Sequence, residues 1–257
     1  MNSLPPTTIF ECMAPGMLLV LGAILIPFLK GKTQKIYAVA LPFLSAYQMY
    51  MLPEGLVLTW EMFEYTLEPV RVDKLSLVWG WVFHIAALMS IIYQWHVKDK
   101  VQDVAGIMYA GAAIAAAFAG DLVTLFIFWE LTAITSVFLI YAGRTKTSAT
   151  VGTRYMVIQV GSGVILLFGM LLWVDAGNSL AFGHSFDIDN WQQLGMFVDP
   201  VTKAPVNAGA WLILIAFGIK AAFPFLHNWL QDSYPAATVT GTVFLSAFTT
   251  KLAIYAL

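Results

Sequence analysis

The sequence contains little charge and only one cysteine, and both shortages limit what the protein can be. Only 11% of its 257 residues are charged and 60% are hydrophobic, whereas a soluble domain has about 25% charged residues. The lone Cys12 excludes a disulfide framework or an all-cysteine cluster within the chain. The four histidines show no metal-ligand spacing, and there is no glycine-rich nucleotide loop and no haem motif. We therefore expect an integral membrane protein without a cofactor, a metal site or a nucleic-acid partner.

Long apolar segments are what the sequence has in abundance. Eight of them, each of roughly 17–25 residues, are long enough to cross the hydrocarbon core of a membrane. They cover residues 13–29, 36–52, 74–95, 103–119, 121–142, 151–174, 209–226 and 236–257. The first lacks a signal peptide's basic region and cleavage site, so it is expected to persist as a helix. The predicted fold class is all-α, a polytopic helical membrane protein.

The loops between these spans alternate in charge. Those after spans one, three and five, with the start of span six, hold eight basic residues: Lys30, Lys32, Lys35, Lys98, Lys100, Arg144, Lys146 and Arg154. Those after spans two and six hold three, Arg71, Lys74 and Lys203, beside nine acidic residues. Since basic loops stay in the cytoplasm, both termini are predicted outside a cell membrane, such as the bacterial inner membrane.

Two segments are too polar to span. Residues 59–73 partly alternate apolar with acidic side chains, which predicts a short external β-hairpin or extended loop between spans two and three. Residues 175–208 are rich in Gly, Asn, Asp and Pro and are expected to form an irregular external loop. Span four has Gly111, Ala115 and Ala119 at four-residue spacing, which is typical of close helix packing.

Glu130 is the most informative residue, because it is the only charged residue in the apolar run from Leu122 to Ala142. A carboxylate at that depth costs ~2.5–3.5 kcal/mol on insertion scales. Its neighbours one helical turn away are apolar or small, so a counter-charge must come from another helix. Two intramembrane lysines, Lys220 and Lys251, are candidates. Two interpretations stay open: an ion relay, or a buried ion pair that is only structural.

Lys220 precedes Pro224 by four residues, and this spacing predicts a helix break at the lysine. Proline cannot donate to the carbonyl four residues earlier and sterically opposes it. Irregular backbone at membrane depth is tolerated only where protein buries it or water reaches it. A lysine beside such a break suits a hydrated proton-transfer site.

Two further candidates each leave two interpretations open. His227, near the predicted inner end of span seven, either passes protons or anchors the interface beside Trp229. Lys251 either belongs to the relay or extends to the outer interface. Span eight carries four hydroxyl residues on one face, Thr238, Thr242, Ser246 and Thr249. They either line a water path or pack against neighbouring helices, the commoner role.

Several motifs together resemble the antiporter-like subunits of complex I and of Mrp-type multisubunit Na⁺/H⁺ antiporters. They are WEL at 129–131, a lysine in span seven, HxWLxD at 227–232, YPAA at 234–237, TKxxxY at 250–255 and RVDKLSL at 71–77. The fourth and fifth are closer to the Mrp D subunit. The resemblance covers nearly the whole chain but only the N-terminal half of a usual member.

By this resemblance, Glu130 is the modulating carboxylate and Lys220 the proton carrier. Lys251 would be the next relay residue and His227 the residue at the proton entrance. The resemblance also implies two parts: residues 1–100, with three transmembrane helices and the external hairpin, and residues 101–257, with one five-helix antiporter repeat (helices 4–8) and a broken seventh helix. Other membrane subunits, including a chain that supplies a second repeat, would be partners, and protons and monovalent cations would be carried.

Three functions are therefore carried forward. The first is a subunit of a multisubunit cation/proton antiporter with one proton half-channel. The second is a non-conducting accessory or scaffold subunit in the same kind of lipid-embedded complex. The third is a membrane subunit of a redox enzyme, such as an ion-translocating NADH:quinone oxidoreductase or a hydrogenase-type complex. The retained charges favour the first over the second, whereas the expected lack of a second repeat favours the second.

Overall fold

The computed structural model describes residues 13–182 and 208–257, and helices follow the apolar segments there. The helices are α1 (Met17–Ala23), α2 (Gly31–Met51), α3 (Lys74–Tyr93), α4 (Lys100–Ala117), α5 (Leu122–Tyr141), α6 (Lys146–Asp175), α7 (Ala208–Ala221), α8 (Asn228–Ala236) and α9 (Val239–Ala256). By length and composition, four segments among the described residues can cross a membrane: Lys74–His96, Leu122–Tyr141, Lys146–Asp175 and Val239–Ala256. Two shorter segments, Met17–Phe28 and Ala208–Ala221, are also apolar. Most of the predicted loop at 175–208 lies outside the described residues.

Capping side chains explain where five of these helices begin. Asp73 accepts a hydrogen bond from the Ser76 amide, and the Ser76 side chain accepts one from the Asp73 amide. This reciprocal arrangement satisfies amide groups that have no partner inside the helix. Asp99, Asp121 and Thr145 accept hydrogen bonds from first-turn amides of α4, α5 and α6, respectively. Thr238 does so for α9, where its hydroxyl accepts from the Gly241 amide.

The hairpin predicted between spans two and three is confirmed. Strands β1 (Val57–Met62) and β2 (Tyr65–Arg71) are antiparallel, with Val57 opposite Arg71 and Met62 opposite Tyr65. The hairpin is fastened to the start of α5 by the backbone of Glu68. Its amide donates to Asp121 Oδ2 at 2.8 Å, and its carbonyl accepts from the Gly120 amide at 2.9 Å.

Helix α4 lies at the centre of the bundle, in contact with α1, α3, α5 and α9. Nearly all of its residues from Ala105 onward are buried. The backbones of α1 and α4 meet at two glycines, since a Cβ placed on Gly16 would lie 2.3 Å from the Gly111 carbonyl oxygen. The expectation that the small residues of span four serve close packing is confirmed at Gly111.

Helix α7 ends at Ala221, one residue after Lys220, where the proline spacing predicts the break. The Phe223 amide donates to the Gly218 carbonyl and the Ala222 amide to the Ile219 carbonyl. This paired arrangement is a Schellman C-cap, with Ala222 in the left-handed region (φ 62°) that glycine usually takes. Pro224 disfavours helical geometry at the residue before it, so the helix closes ahead of the proline and Lys220 keeps its place in the last turn.

Candidate functional site

Lys220 is fully buried, with 0% of its surface exposed. Its ammonium nitrogen donates to the backbone carbonyl of Trp129 at 2.6 Å and to Thr132 Oγ1 at 2.8 Å. It also lies over the Trp129 ring, 4.1 Å from the ring centroid. Two acceptors and an aromatic face thus replace the water that an ammonium group loses on burial. The lysine of α7 is held by α5.

Glu130 directly follows Trp129 in α5, but its side chain turns toward α6. A Cβ placed on Gly163 would lie 1.4 Å from Glu130 Oε1, so the carboxylate fills the space that a glycine leaves free. Oε1 is buried and has no hydrogen-bond partner among the described residues. Such atoms are rare in native proteins and mark strained, functional or water-bound sites.

Lys220, one of the two candidate counter-charges for Glu130, forms no direct ion pair with it. Among the described residues, no nitrogen–oxygen distance within 4.0 Å joins the two side chains. The reason is that Lys220 satisfies its donors on the Trp129 and Thr132 side, whereas Glu130 turns toward Gly163. Lys220 is nevertheless bonded to the carbonyl of Trp129, the residue directly before Glu130. The structure therefore brings the two residues into one site without joining them.

A polar network on α6 completes this site. Trp129 Nε1 donates to Ser162 Oγ at 3.3 Å, and Ser162 Oγ donates to the Ala216 carbonyl of α7 at 3.0 Å. Gln159, one turn before Gly163, is fully buried, and neither its amide nitrogen nor its amide oxygen has a partner among the described residues. Sequence reasoning missed Thr132, Gln159, Ser162 and Gly163. The available signal was their helical spacing, since residues 159, 162 and 163 share one face of span six.

Lys251 is not brought to this cluster. It is exposed on α9, and its ammonium nitrogen donates to the Ser246 carbonyl at 2.5 Å. That carbonyl lies toward the N-terminal end of α9, so the side chain runs back along its own helix. A path from Lys220 to Lys251 is therefore not continuous among these contacts.

The hydroxyl face of span eight serves packing, the commoner of the two expected roles. Thr249 bonds to the Tyr109 hydroxyl of α4. Thr242 donates to the Tyr234 and Thr238 carbonyls and Ser246 to the Val243 carbonyl. Each hydroxyl thus has a protein partner close by.

His227 lies at the turn between the break and α8. It is half-buried at the N-cap position of α8, and its side chain forms no capping bond. The nearby Asp232 lies within α8 and forms a 2.7 Å ion pair with Arg154 of α6. This ion pair fastens α8 to α6.

Comparison with known proteins decides the family. Residues 119–257 match the family described as NADH:quinone oxidoreductase/Mrp antiporter, TM. The chain belongs to this family. The matched region contains Glu130, Lys220, His227 and Lys251, and the membership confirms the resemblance inferred from the sequence motifs.

Curated relatives come from both branches of the family. The chain is 26% identical to the M subunit of the NADH-quinone oxidoreductase of Escherichia coli, over 73% of its own length and 38% of the relative's. It is 30% identical to the A subunit of the Na(+)/H(+) antiporter of Alkalihalophilus pseudofirmus, over 72% and 23%. It is 29% identical to the D subunit of the Na(+)/H(+) antiporter of Bacillus subtilis, over 59% and 29%. The chain spans less than half the length of these relatives.

Solved structures show the same fold. The membrane-bound sulfane sulfur reductase, an archaeal respiratory membrane complex, contains a chain that matches with a TM-score of 0.74 at 21% identity, over 93% of this chain and 50% of that one. The Mrp complex of Dietzia sp. gives 0.72 at 19% identity, over 97% and 48%. This chain thus shares its fold with chains of an archaeal respiratory membrane complex and of an Mrp complex.

Proposed function

We propose that the protein is a subunit of a multisubunit cation/proton antiporter or related ion-translocating complex, and that it carries a proton half-channel. Lys220 is the proton carrier, Glu130 the carboxylate that modulates it, Lys251 the next relay residue and His227 the entrance. The observation that carries the proposal is the fully buried Lys220, which has a protein carbonyl and a hydroxyl as its partners at a helix break. Such ionisable groups inside membranes mark ion and proton pathways.

The environment of Lys220 suits a group that gains and loses a proton. A direct salt bridge would stabilise the charged forms of both partners together. The lysine instead bonds to two neutral groups, the Trp129 carbonyl and the Thr132 hydroxyl. The Glu130 carboxylate belongs to the same helix, α5, but lies on the side of α5 that faces α6. A change in the position or charge of Glu130 would therefore alter the proton affinity of Lys220 without rebuilding its hydrogen bonds.

The wider arrangement follows the family. We propose eight transmembrane helices with both termini outside the cell membrane. Residues 1–100 form the N-terminal part, and residues 101–257 form one five-helix repeat. Other membrane subunits surround the chain. The Lys251 side chain is exposed on the surface of the helix bundle. Its relay role therefore requires a neighbouring protein surface packed against α9.

The scaffold function is the alternative, and a specific observation favours it. The contacts of Lys220 join α7 to α5, and Ser162 joins α6 to α7, so the same polar groups hold three helices together. A membrane subunit of a redox complex is the third candidate. It is supported by the likeness to the sulfane sulfur reductase chain and to complex I of Thermus thermophilus.

Glu130→Gln and Lys220→Ala separate relay from scaffold. In the assembled complex, either change should nearly abolish cation-dependent proton flux per complex while assembly survives. Glu61→Gln, at an exposed position of the hairpin, is the control and should leave flux near normal. A scaffold gives the opposite pattern, with reduced assembly and unchanged flux per assembled complex. Normal flux in both variants would refute the relay.

A further inference from the structure

Lysines from two separate loops surround one cavity. The cavity has a volume of about 610 Å³, and it lies between the start of α2 and the turn that joins α3 to α4. Its lining includes the five lysines Lys30, Lys32, Lys35, Lys98 and Lys100, together with His96 and Trp95. Tryptophan and lysine at helix ends are typical of the headgroup level of a membrane. The site therefore has the position and charge of a pocket for an anion at the membrane surface.

Most of this positive charge is not neutralised by protein. Asp103 pairs with Lys35 at 2.8 Å, and Asp99 pairs with Arg144 at 2.7 Å, so both nearby carboxylates are already occupied. Lys30, Lys32 and Lys98 form no ion pair with any of the residues at 13–182 and 208–257. Because like charges repel, such a cluster is stabilised by a bound counter-ion.

An apolar groove adjoins the basic cavity. It has a volume of about 430 Å³ and lies between α4, α5 and the turn after α1. Val104, Met108, Ile134 and Phe138 are among its lining residues. Lys100 lines both spaces, and its ammonium nitrogen donates to the Pro27 carbonyl at 2.7 Å. The two spaces thus meet at one lysine, with charge on one side and hydrocarbon on the other.

We propose that this composite site binds one anionic phospholipid, with its phosphate headgroup among the lysines and an acyl chain in the groove. An anion with an attached hydrocarbon chain fits both halves, whereas a free phosphate uses only the first. Basic pockets between transmembrane helices are known to bind such headgroups. This site is separate from Lys220 and Glu130, so the proposal does not depend on the proton half-channel.

The test uses the full chain, purified in mild detergent with whatever subunits accompany it. Equal amounts of phosphatidylglycerol and phosphatidylcholine are added, and retained lipid is measured by native mass spectrometry. The wild type should retain phosphatidylglycerol in preference. Lys32→Gln with Lys98→Gln should reduce that retention by about tenfold or more. The matched variant, Lys74→Gln with Lys146→Gln, should retain lipid like the wild type.

Further arms identify the ligand. Met108→Trp should reduce retention of phosphatidylglycerol by filling the groove, and inorganic phosphate should not displace the bound lipid. Displacement by inorganic phosphate would show a free-phosphate site and overturn the proposal. Equal retention of the two lipids would overturn the proposal too. So would a Lys32→Gln, Lys98→Gln variant that loses an accompanying subunit but still retains phosphatidylglycerol.

Discussion

The ammonium nitrogen of Lys220 lies 2.6 Å from the backbone carbonyl oxygen of Trp129, the residue immediately before Glu130. The lysine is therefore attached to the same turn of α5 that carries the carboxylate, although the two side chains form no direct ion pair. The carboxylate instead fills the space beside Gly163 of α6. Each charge has its own protein contacts, so the contacts of one can be changed while those of the other are kept.

Thr132→Val tests the contacts of the lysine. The substitution removes the hydroxyl that accepts from Lys220 at 2.8 Å and leaves a buried donor short of a partner. We expect a loss of about 1–3 kcal/mol in the free energy of unfolding, measured from unfolding in detergent. Thr135→Val is the matched control, because the Thr135 hydroxyl donates to carbonyls of its own helix at Leu131 and Thr132. An equal loss in both variants would contradict a specific role for Thr132.

Two cysteines test the topology. The hairpin tip and the start of α2 are predicted on opposite sides of the membrane from the charge asymmetry of the loops. Cysteines introduced at Glu64 and Lys32, both exposed, should therefore react with an impermeant thiol reagent from opposite faces of sealed vesicles. Labelling from the same face would overturn the predicted orientation and the entrance role of His227 with it.

Much of this architecture can be read from the sequence, because hydrocarbon thickness and chain sterics determine it. The run around Glu130 predicts α5, and Pro224 predicts the break to within one residue. The contacts of Lys220 could not be predicted, because a backbone carbonyl such as that of Trp129 leaves no trace in a side-chain pattern. The direction of Lys251 depends on rotamer choice, which spacing does not determine.

We expect Glu68 to make the stability of the hairpin depend on pH. Partial burial raises the pKa of its carboxyl above the ordinary value, while Arg71 opposes the shift and Asp121 adds to it. The folded state therefore binds the Glu68 proton more tightly than the unfolded state, and the contribution to stability is lost as pH rises through the raised pKa.

The measurement is the thermal midpoint of the chain as a function of pH. Glu68→Gln, which cannot ionise, should remove this part of the decline with rising pH. Glu61→Gln, at an exposed position of the same hairpin, should leave the wild-type profile in place. A profile for Glu68→Gln that matches the wild type would show that the raised pKa has no effect on stability.

Gly163→Ala tests the position of the Glu130 carboxylate without replacing any ionisable residue. The added Cβ would lie 1.4 Å from Glu130 Oε1, far inside van der Waals contact, so the carboxylate must leave its place against α6. If the position of Glu130 controls the proton affinity of Lys220, flux per assembled complex should fall by about tenfold or more, the result of about 1.4 kcal/mol in an equilibrium.

Gly161→Ala is the matched control, because its Cβ would meet nothing within 4 Å. Shortening the carboxylate with Glu130→Asp should restore part of the flux to Gly163→Ala, since the side chain then needs less room. Unchanged flux in Gly163→Ala would show that the place of the carboxylate does not matter for transport.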